Sequence, residues 1–266
     1  LNLCLNGIFD NVSLYTTLNI SSANIDWSNS SLNKENSIER YYEINNQLSG
    51  AKKINKITTT NTPYGVNHHR RETYRKFYAY DVVIYLDSDV VFSTQILKNY
   101  IKLLNSFDYK KNWYVISPQT VRLWDTTWDC LVNEKYIKEY LNSHKRLNAE
   151  EVISSTKEAP RSLRELETHK FAGGWFTAYS PKLLNYVGIP DSFGSYGPDD
   201  TFLMACMNLM KNSGMSVIQY VIENEIIIED STTDVSGLSF TSNPSQQRLI
   251  GQQNFISELR QFSKKL

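Results

Sequence analysis

Val82-Val-Ile-Tyr-Leu86 is an unbroken apolar run that ends on Asp87-Ser88-Asp89. A strand exposed on one face alternates apolar and polar residues; a run without alternation fits a strand covered on both faces, the situation of a parallel sheet sandwiched by helices. Open α/β sheets take their ligands beyond the carboxyl ends of such strands, so the two aspartates sit where a site is expected. The flanking sequence agrees. Apolar alternation over Val12–Ile20 predicts a strand, Asn36–Leu48 a helix, Ile54–Thr60 a strand and Asn67–Tyr78 a helix, giving a βαβαβ reading of the first hundred residues.

Beyond this strand the periodicity predicts a helix over Thr94–Leu104, a strand over Trp113–Ile116 and a helix over Asn133–Asn142. Ser143–Glu167 mixes Lys, Glu and Arg without a period and reads as a solvated lobe or mobile loop. Asp199–Lys211 reads as a helix, Val217–Ile228 as one or two strands, and Pro244–Phe262 as an amphipathic helix. The expectation is a single catalytic domain over residues 1–266, an α/β fold with a mostly parallel central sheet and helices on both faces.

Charge excludes some partners. Lys plus Arg number 28 and Asp plus Glu number 28, so no net field draws the chain to nucleic acid or to an anionic membrane. Cys4, Cys130 and Cys206 are odd in number and widely spaced, unlike a disulfide framework or a zinc cluster, and a reducing, cytoplasmic setting is expected. No apolar run reaches membrane-spanning length, and Leu1-Asn-Leu-Cys-Leu-Asn6 has no signal-peptide pattern. Sequons at Asn11, Asn19 and Asn29 lie in an Asn/Ser-rich stretch where chance produces them.

Three further segments carry chemistry. Asp87 and Asp89 are hard oxygen donors suited to Mn2+ or Mg2+, a cation that can join carboxylates to a diphosphate. Phe171-Ala-Gly-Gly-Trp-Phe-Thr-Ala-Tyr179 sets Gly173 and Gly174, which permit close approach of backbone to a ligand, beside Trp175, whose face can stack on a sugar. Phe193-Gly-Ser-Tyr-Gly-Pro-Asp-Asp200 sets two acids at a helix start, where the bland explanation is complementarity to the helix dipole.

In order and spacing, Gly65-Val-Asn-His-His-Arg70, Tyr80-Asp-Val-Val-Ile-Tyr-Leu-Asp-Ser-Asp89, Ala172-Gly-Gly-Trp175 and Tyr196-Gly-Pro-Asp-Asp200 resemble the GT-A glycosyltransferases, most closely the inverting family 2-like enzymes. The resemblance covers roughly residues 54–212. It implies a metal-dependent transfer of a sugar from a nucleotide diphosphate sugar, with UDP as the expected nucleotide, to a hydroxyl on a glycan, glycolipid or glycoprotein acceptor. By the same resemblance residues 1–112 form the donor half and 113–266 the acceptor half, with a mobile lobe around 143–170. Asp89 would ligate the metal, Asp87 the metal or the ribose, and Ser88 and Arg70 would lie at the donor. Gly173, Gly174 and Trp175 would line the sugar and acceptor pocket, Asp200 would act as base, and Asp199 would orient acceptor hydroxyls.

The chain departs from the family pattern in three places. Only one clear βα unit precedes the Asp-x-Asp strand, leaving Thr17 and Asn19 as the nucleotide-contact candidates. Pro198-Asp199-Asp200 stands where Gly-Glu-Asp is usual, and no histidine lies beyond His169 to complete the metal, so Asp230, after Ile226-Ile-Ile-Glu229, is the substitute. Competing readings are a retaining GT-A enzyme, a sugar-1-phosphate nucleotidyltransferase, a haloacid-dehalogenase-type phosphohydrolase and a non-catalytic carbohydrate-binding module. The nucleotidyltransferase lacks its Gly-rich loop here, the phosphohydrolase lacks a glycine in Val90-Val-Phe-Ser93, and the binding module leaves two acidic pairs unexplained.

Overall fold

A computed structural model describes residues 2–6, 13–19, 54–60, 66–76, 82–85, 90–93, 95–120, 129–133, 154, 156–167, 170, 176–194, 197–229 and 244–266. The fold is mixed α/β. Its strands are β1 (Asn2–Asn6), β2 (Ser13–Asn19), β3 (Ile54–Thr60), β4 (Val82–Tyr85), β5 (Val90–Val91), β6 (Trp113–Thr120), β7 (Ser162–Leu166), β8 (Thr177–Tyr179) and β9 (Val217–Glu229). Its helices are α1 (Val66–Lys76), α2 (Ile96–Leu104), α3 (Pro181–Val187), α4 (Asp199–Asn212) and α5 (Pro244–Ser263). The helices expected over 36–48 and, beyond Asn133, over 133–142 lie outside the described residues.

The strands form one sheet in the order β3-β2-β1-β4-β8-β6-β9-β5, with β7 also on β9. The expected mostly parallel sheet is corrected by the pairings: β2·β3 and β6·β9 are parallel, whereas β1·β2, β1·β4, β4·β8, β6·β8, β5·β9 and β7·β9 are antiparallel. The cause is interleaving. Following the pairings from strand to strand, β2, β3, β4, β6 and β9 all run one way, and β1 and β8 run between them in the opposite direction. The burial expected of β4 holds, and the parallel neighbours expected for it do not, since β1 and β8 both run against it. β1 is a five-residue alternation and β8 only three residues long, both too short for a periodicity signal.

Because the five co-directional strands end together, Asn19, Thr60, Tyr85, Thr120 and Glu229 lie at one end of the sheet. β8 begins at that same end, with Thr177 opposite Tyr85. Ser162–Leu166, expected within a structureless lobe, is instead β7, paired along β9 from Ser162↔Glu223 to Leu166↔Gln219. Leu166 is buried there, and Arg164 donates to Glu223 at 2.8 Å and to the Cys130 carbonyl at 3.0 Å. Arg164, a charge that masked the strand in sequence, is paired across to β9.

Val82–Tyr85 is wholly buried, as its apolar run requires. α2 packs the stripe Ile96, Tyr100, Leu103 and Leu104 into the core, at i, i+4, i+7 and i+8. β9 is one strand rather than two, interrupted by a bulge: the β6 register jumps from Pro118↔Ile222 to Gln119↔Ile226. Pro118 brings no amide hydrogen to the ladder, and Asn224 turns the bulge at φ 64°, a conformation asparagine tolerates better than most residues. Gln119 Oε1 accepts the freed Asn224 N–H at 2.8 Å.

Among the described residues, Phe176 is the other non-glycine residue with positive φ, at 66°. A bulky side chain there carries a cost of about 1–3 kcal/mol and needs surroundings that over-determine it. Its ring is fully buried against Phe92 and Tyr100, and the Tyr100 hydroxyl donates to the Phe176 carbonyl at 2.6 Å. Tyr100→Phe is expected to lower unfolding free energy by about 1–3 kcal/mol, because the buried carbonyl loses its donor while the ring packing stays. Urea unfolding of the two proteins measures this, and equal midpoints would remove the hydrogen bond from the account.

Candidate functional site

The site is built where α1, α4 and the ends of β4 and β8 meet. Asp199 and Asp200 open α4, after Gly197-Pro198. Asp199 is buried, and both of its oxygens are engaged. Arg70 Nη1 donates to Oδ2 at 2.6 Å. Asn67, with its amide turned to satisfy both neighbours, donates to Oδ1 at 3.1 Å and accepts from the Gly197 N–H at 3.1 Å. Asn67 and Arg70 lie three residues apart on α1, so one helix face presents both groups to the same carboxylate.

Arg70 also lies over the Tyr85 ring, its guanidinium carbon 5.0 Å from the centroid, and Tyr85 packs on Tyr179 at 4.9 Å. These contacts tie the last residue of β4 and the last of β8 to the acid pair. Arg71, the next residue of α1, is buried and turned the other way: it donates to the Ile189 carbonyl at 2.9 Å, to the Pro190 carbonyl, and to the Gly194 carbonyl at 3.2 Å. Two consecutive arginines thus fix the loop after α3 and the first residue of α4. Gly197 leaves room for this packing, since a Cβ there would stand 3.0 Å from the Phe193 carbonyl oxygen and 3.4 Å from Asn67 Nδ2.

Asp200 differs from its neighbour. It is partly exposed, and one oxygen, Oδ1, accepts the Thr201 N–H at 2.7 Å. Burial first, and then the adjacent Asp199 charge, push its carboxyl up to about 6, against the opposing pull of Arg70. A small recess beside the pair is lined by Tyr85, Tyr179, Leu184, Gly188, Ile189 and Leu203. Tyr85 and Tyr179 are buried so fully that their hydroxyls are pushed far up, so they remain neutral and act as walls. Of the two aspartates, Asp199 is committed to Arg70 and Asn67, and Asp200 is the one with a carboxyl oxygen left for a ligand.

Thr17 and Asn19 are placed by strand position: both lie in β2, and Asn19 ends it at the shared sheet end. Arg70, expected near a donor, has its guanidinium on Asp199 and Tyr85. Asp87, Ser88, Asp89, Gly173, Gly174, Trp175 and Asp230 lie outside the described residues, as does His169. Their flanks are described. Tyr85, two residues before Asp87, pairs in register with Thr177, two residues after Trp175. Val90, directly after Asp89, pairs with Glu229, directly before Asp230. Among the described residues no group of three or more His, Cys, Asp or Glu side chains is placed to hold a metal. No helix among them is long and apolar enough to cross a membrane.

Sequence reasoning missed Asn67, Tyr85 and Tyr179. Asn67 was legible in principle, three residues before Arg70 on a predicted helix. The two tyrosines read as ordinary strand residues, and only the antiparallel register brings them together. Neither the known protein-family models nor the curated proteins compared with this chain give a match.

Two outcomes follow for the acid pair. Asp200 has a folded-state value above the ordinary 3.8, so folding favours its protonated form; this contribution is full below about pH 4 and is lost as pH rises through about 6. Asp200→Asn is therefore expected to raise stability by about 1–3 kcal/mol at pH 7 and to give no gain at pH 3.5, measured by thermal melts across pH. Arg70→Met leaves Asp199 buried without its cation and is expected to cost about 3 kcal/mol at pH 7. A stability loss in Asp200→Asn at neutral pH would contradict the first assignment.

Proposed function

We propose that the chain is a GT-A-type glycosyltransferase that moves a sugar from a nucleotide diphosphate sugar to an acceptor hydroxyl, with Asp200 as the base. The observation that carries this reading is the bridge formed by Arg70. Its guanidinium rests on Tyr85, at the end of the strand that leads into Asp87-Ser88-Asp89, and holds Asp199 of the Asp199-Asp200 pair. The strand that leads into the first acidic motif is thereby tied to the start of the second, more than a hundred residues later, and α/β sheets bind ligands beyond such strand ends.

The residues that flank the remaining motifs support the same reading. The chain leaves the sheet at Tyr85 of β4 and rejoins it at Val90 beside the end of β9, so the link carrying the Asp-x-Asp motif joins two strand ends at this end of the sheet. With Val90 opposite Glu229, the next residue outward on each side is an aspartate, Asp89 on one and Asp230 on the other. Two acids that each follow directly in sequence from one paired position suit a shared divalent cation of the Mn2+ or Mg2+ type. Asp199 does not belong to that donor set, because both its oxygens are already taken. When bound, such a cation would neutralise the charge that develops on the leaving diphosphate.

The protein's own groups account for the acceptor half. Asp200, ionised above about pH 6, accepts the proton of an acceptor hydroxyl as that oxygen attacks the anomeric carbon from the face opposite the leaving group, which inverts the configuration. A base whose value lies near the working pH is both substantially ionised and basic enough to help. Asp199, fixed by Arg70 and Asn67, keeps the start of α4 in place and adds the neighbouring charge that makes Asp200 more basic. Thr177, at the start of β8, enters the sheet opposite Tyr85 two residues after Gly173-Gly174-Trp175, and this supports reading that segment as the sugar and acceptor pocket.

Titrating UDP-sugars and other nucleotide sugars calorimetrically, with and without Mn2+, tests the reading. Binding is expected to require the cation, and Asp230→Ala to weaken it. Asp200→Asn is expected to bind donor within about two-fold of the parent and to lose transfer by roughly a hundred-fold or more. Full turnover in that variant, or metal-independent binding, would overturn the assignment.

A further inference from the structure

The C-terminal helix α5 bears on the acid pair through a glycine. Gly251 lies inside α5, where glycine is a poor helix former and needs a packing reason. It is buried, and a Cβ added to it would stand 2.4 Å from Pro198 Cδ and 3.4 Å from Gly197 Cα. No side chain fits that gap, so the helix backbone itself rests on the proline ring immediately before Asp199. The rest of α5 holds the same loop. Asn254 donates to the Ser192 carbonyl at 3.1 Å, the Ser192 hydroxyl donates to Glu258 at 2.5 Å, and Phe255 packs on Phe193 and Phe202 at 6.2 and 5.8 Å.

We infer that Gly251 is a positioning residue for Asp199 and Asp200: the seating of α5 on Pro198 sets where α4 begins and hence where the Asp200 carboxylate stands. Residues 189–194 and 197–198 are held by two helices. Arg71 and Asn67 of α1 hold the carbonyls of Ile189 and Gly194 and the Gly197 amide, and α5 rests on Gly197 and Pro198. A methyl group at 251 cannot enter without moving either the helix or the proline, and Pro198 is the residue before the ion-paired Asp199. Helix propensity alone gives the opposite expectation, since alanine is the better helix former. Stability and site geometry therefore respond differently to the substitution.

The catalytic consequence rests on the glycosyltransferase reading; the geometric claim does not. Gly251→Ala is compared with Gln252→Ala, at the exposed neighbouring position, and with the double variant Pro198→Ala/Gly251→Ala, which removes the ring that the new methyl meets. The readouts are circular dichroism melting, NMR titration of the aspartate side-chain carboxyl carbons, and, with a nucleotide sugar that the parent turns over, the pH profile of kcat. Gly251→Ala is expected to melt cooperatively, to shift the Asp200 titration, and to lower kcat about ten- to a hundred-fold with a smaller change in donor KM. Gln252→Ala should match the parent, and the double variant should regain the parent titration. An unshifted Asp200 titration in folded Gly251→Ala, or a double variant as perturbed as the single one, overturns the inference. If Gly251→Ala fails to fold, the double variant decides: a parent-like titration supports the contact, and failure to fold as well assigns Gly251 a structural role only. A normal titration response together with no transferase activity in the parent would instead sink the proposed function and leave the positioning role standing.

Discussion

The ion pair between Arg70 and Asp199 is the constraint around which the described site is organised. A buried carboxylate is tolerated only with a cation and hydrogen-bond donors, and Asp199 receives Arg70 on one oxygen and Asn67 on the other. Both come from α1, so the demand of one acid fixes the position of a helix 129 residues earlier in the chain against the start of α4. Arg71 then fixes the loop between α3 and α4 from the same helix. One turn of α1 determines the surroundings of the acid pair, and the Arg70 contact with Tyr85 extends this order to the end of β4.

The sheet provides the second half of the arrangement. Interleaving β1 and β8 among co-directional strands makes most pairings antiparallel, yet it leaves five strand ends on one side. The insertion of β8 also brings Thr177 opposite Tyr85, which a purely parallel sheet would not do, because a neighbouring parallel strand would begin at the far end. The antiparallel strand is what allows a segment arriving at β8 to start beside a segment departing from β4. The sugar-pocket and donor-site assignments depend on that adjacency.

What was legible in the sequence follows from signal length. The unbroken run Val82–Leu86 announced a buried strand, and Val82–Tyr85 is buried at every position. α2 and α4 were visible through their stripes to within a residue or two, and Asp199-Asp200 was placed correctly at a helix start. β1, β8 and β7 were not visible, for different reasons. The first two are too short for a period, and β7 carries Arg164, whose partner Glu223 lies on another strand, beside Glu165, so the segment reads as a solvated stretch. Pairing direction is a tertiary property: nothing in the Thr177–Tyr179 tripeptide states that it runs against β4 and β6. For the same reason Asn67 and Gly251 gained meaning only with coordinates, though a glycine inside a predicted helix was a signal in itself.

The bland account of Asp199-Asp200, two acids placed to complement a helix dipole, makes a directional claim that Asp200 contradicts. A dipole-stabilised carboxylate gains about 0.3–1 kcal/mol in its charged form and its value falls. Burial and Asp199 move Asp200 the other way, to about 6, roughly two units above 3.8 and worth about 3 kcal/mol at 1.36 kcal/mol per unit. Desolvation and like charge act against the charged form at this position, and Arg70 and the Thr201 N–H act for it. Pro198 occupies the N-cap, Asp199 spends its oxygens on α1, and Asp200 takes the adjacent Thr201 N–H with one oxygen only. An arrangement chosen for stability would not keep a second carboxylate, disfavoured when charged, against the first. Titratable neighbours whose surroundings assign them different work, one fixed by an arginine and one held ready for a proton, are the pattern expected of acid–base chemistry.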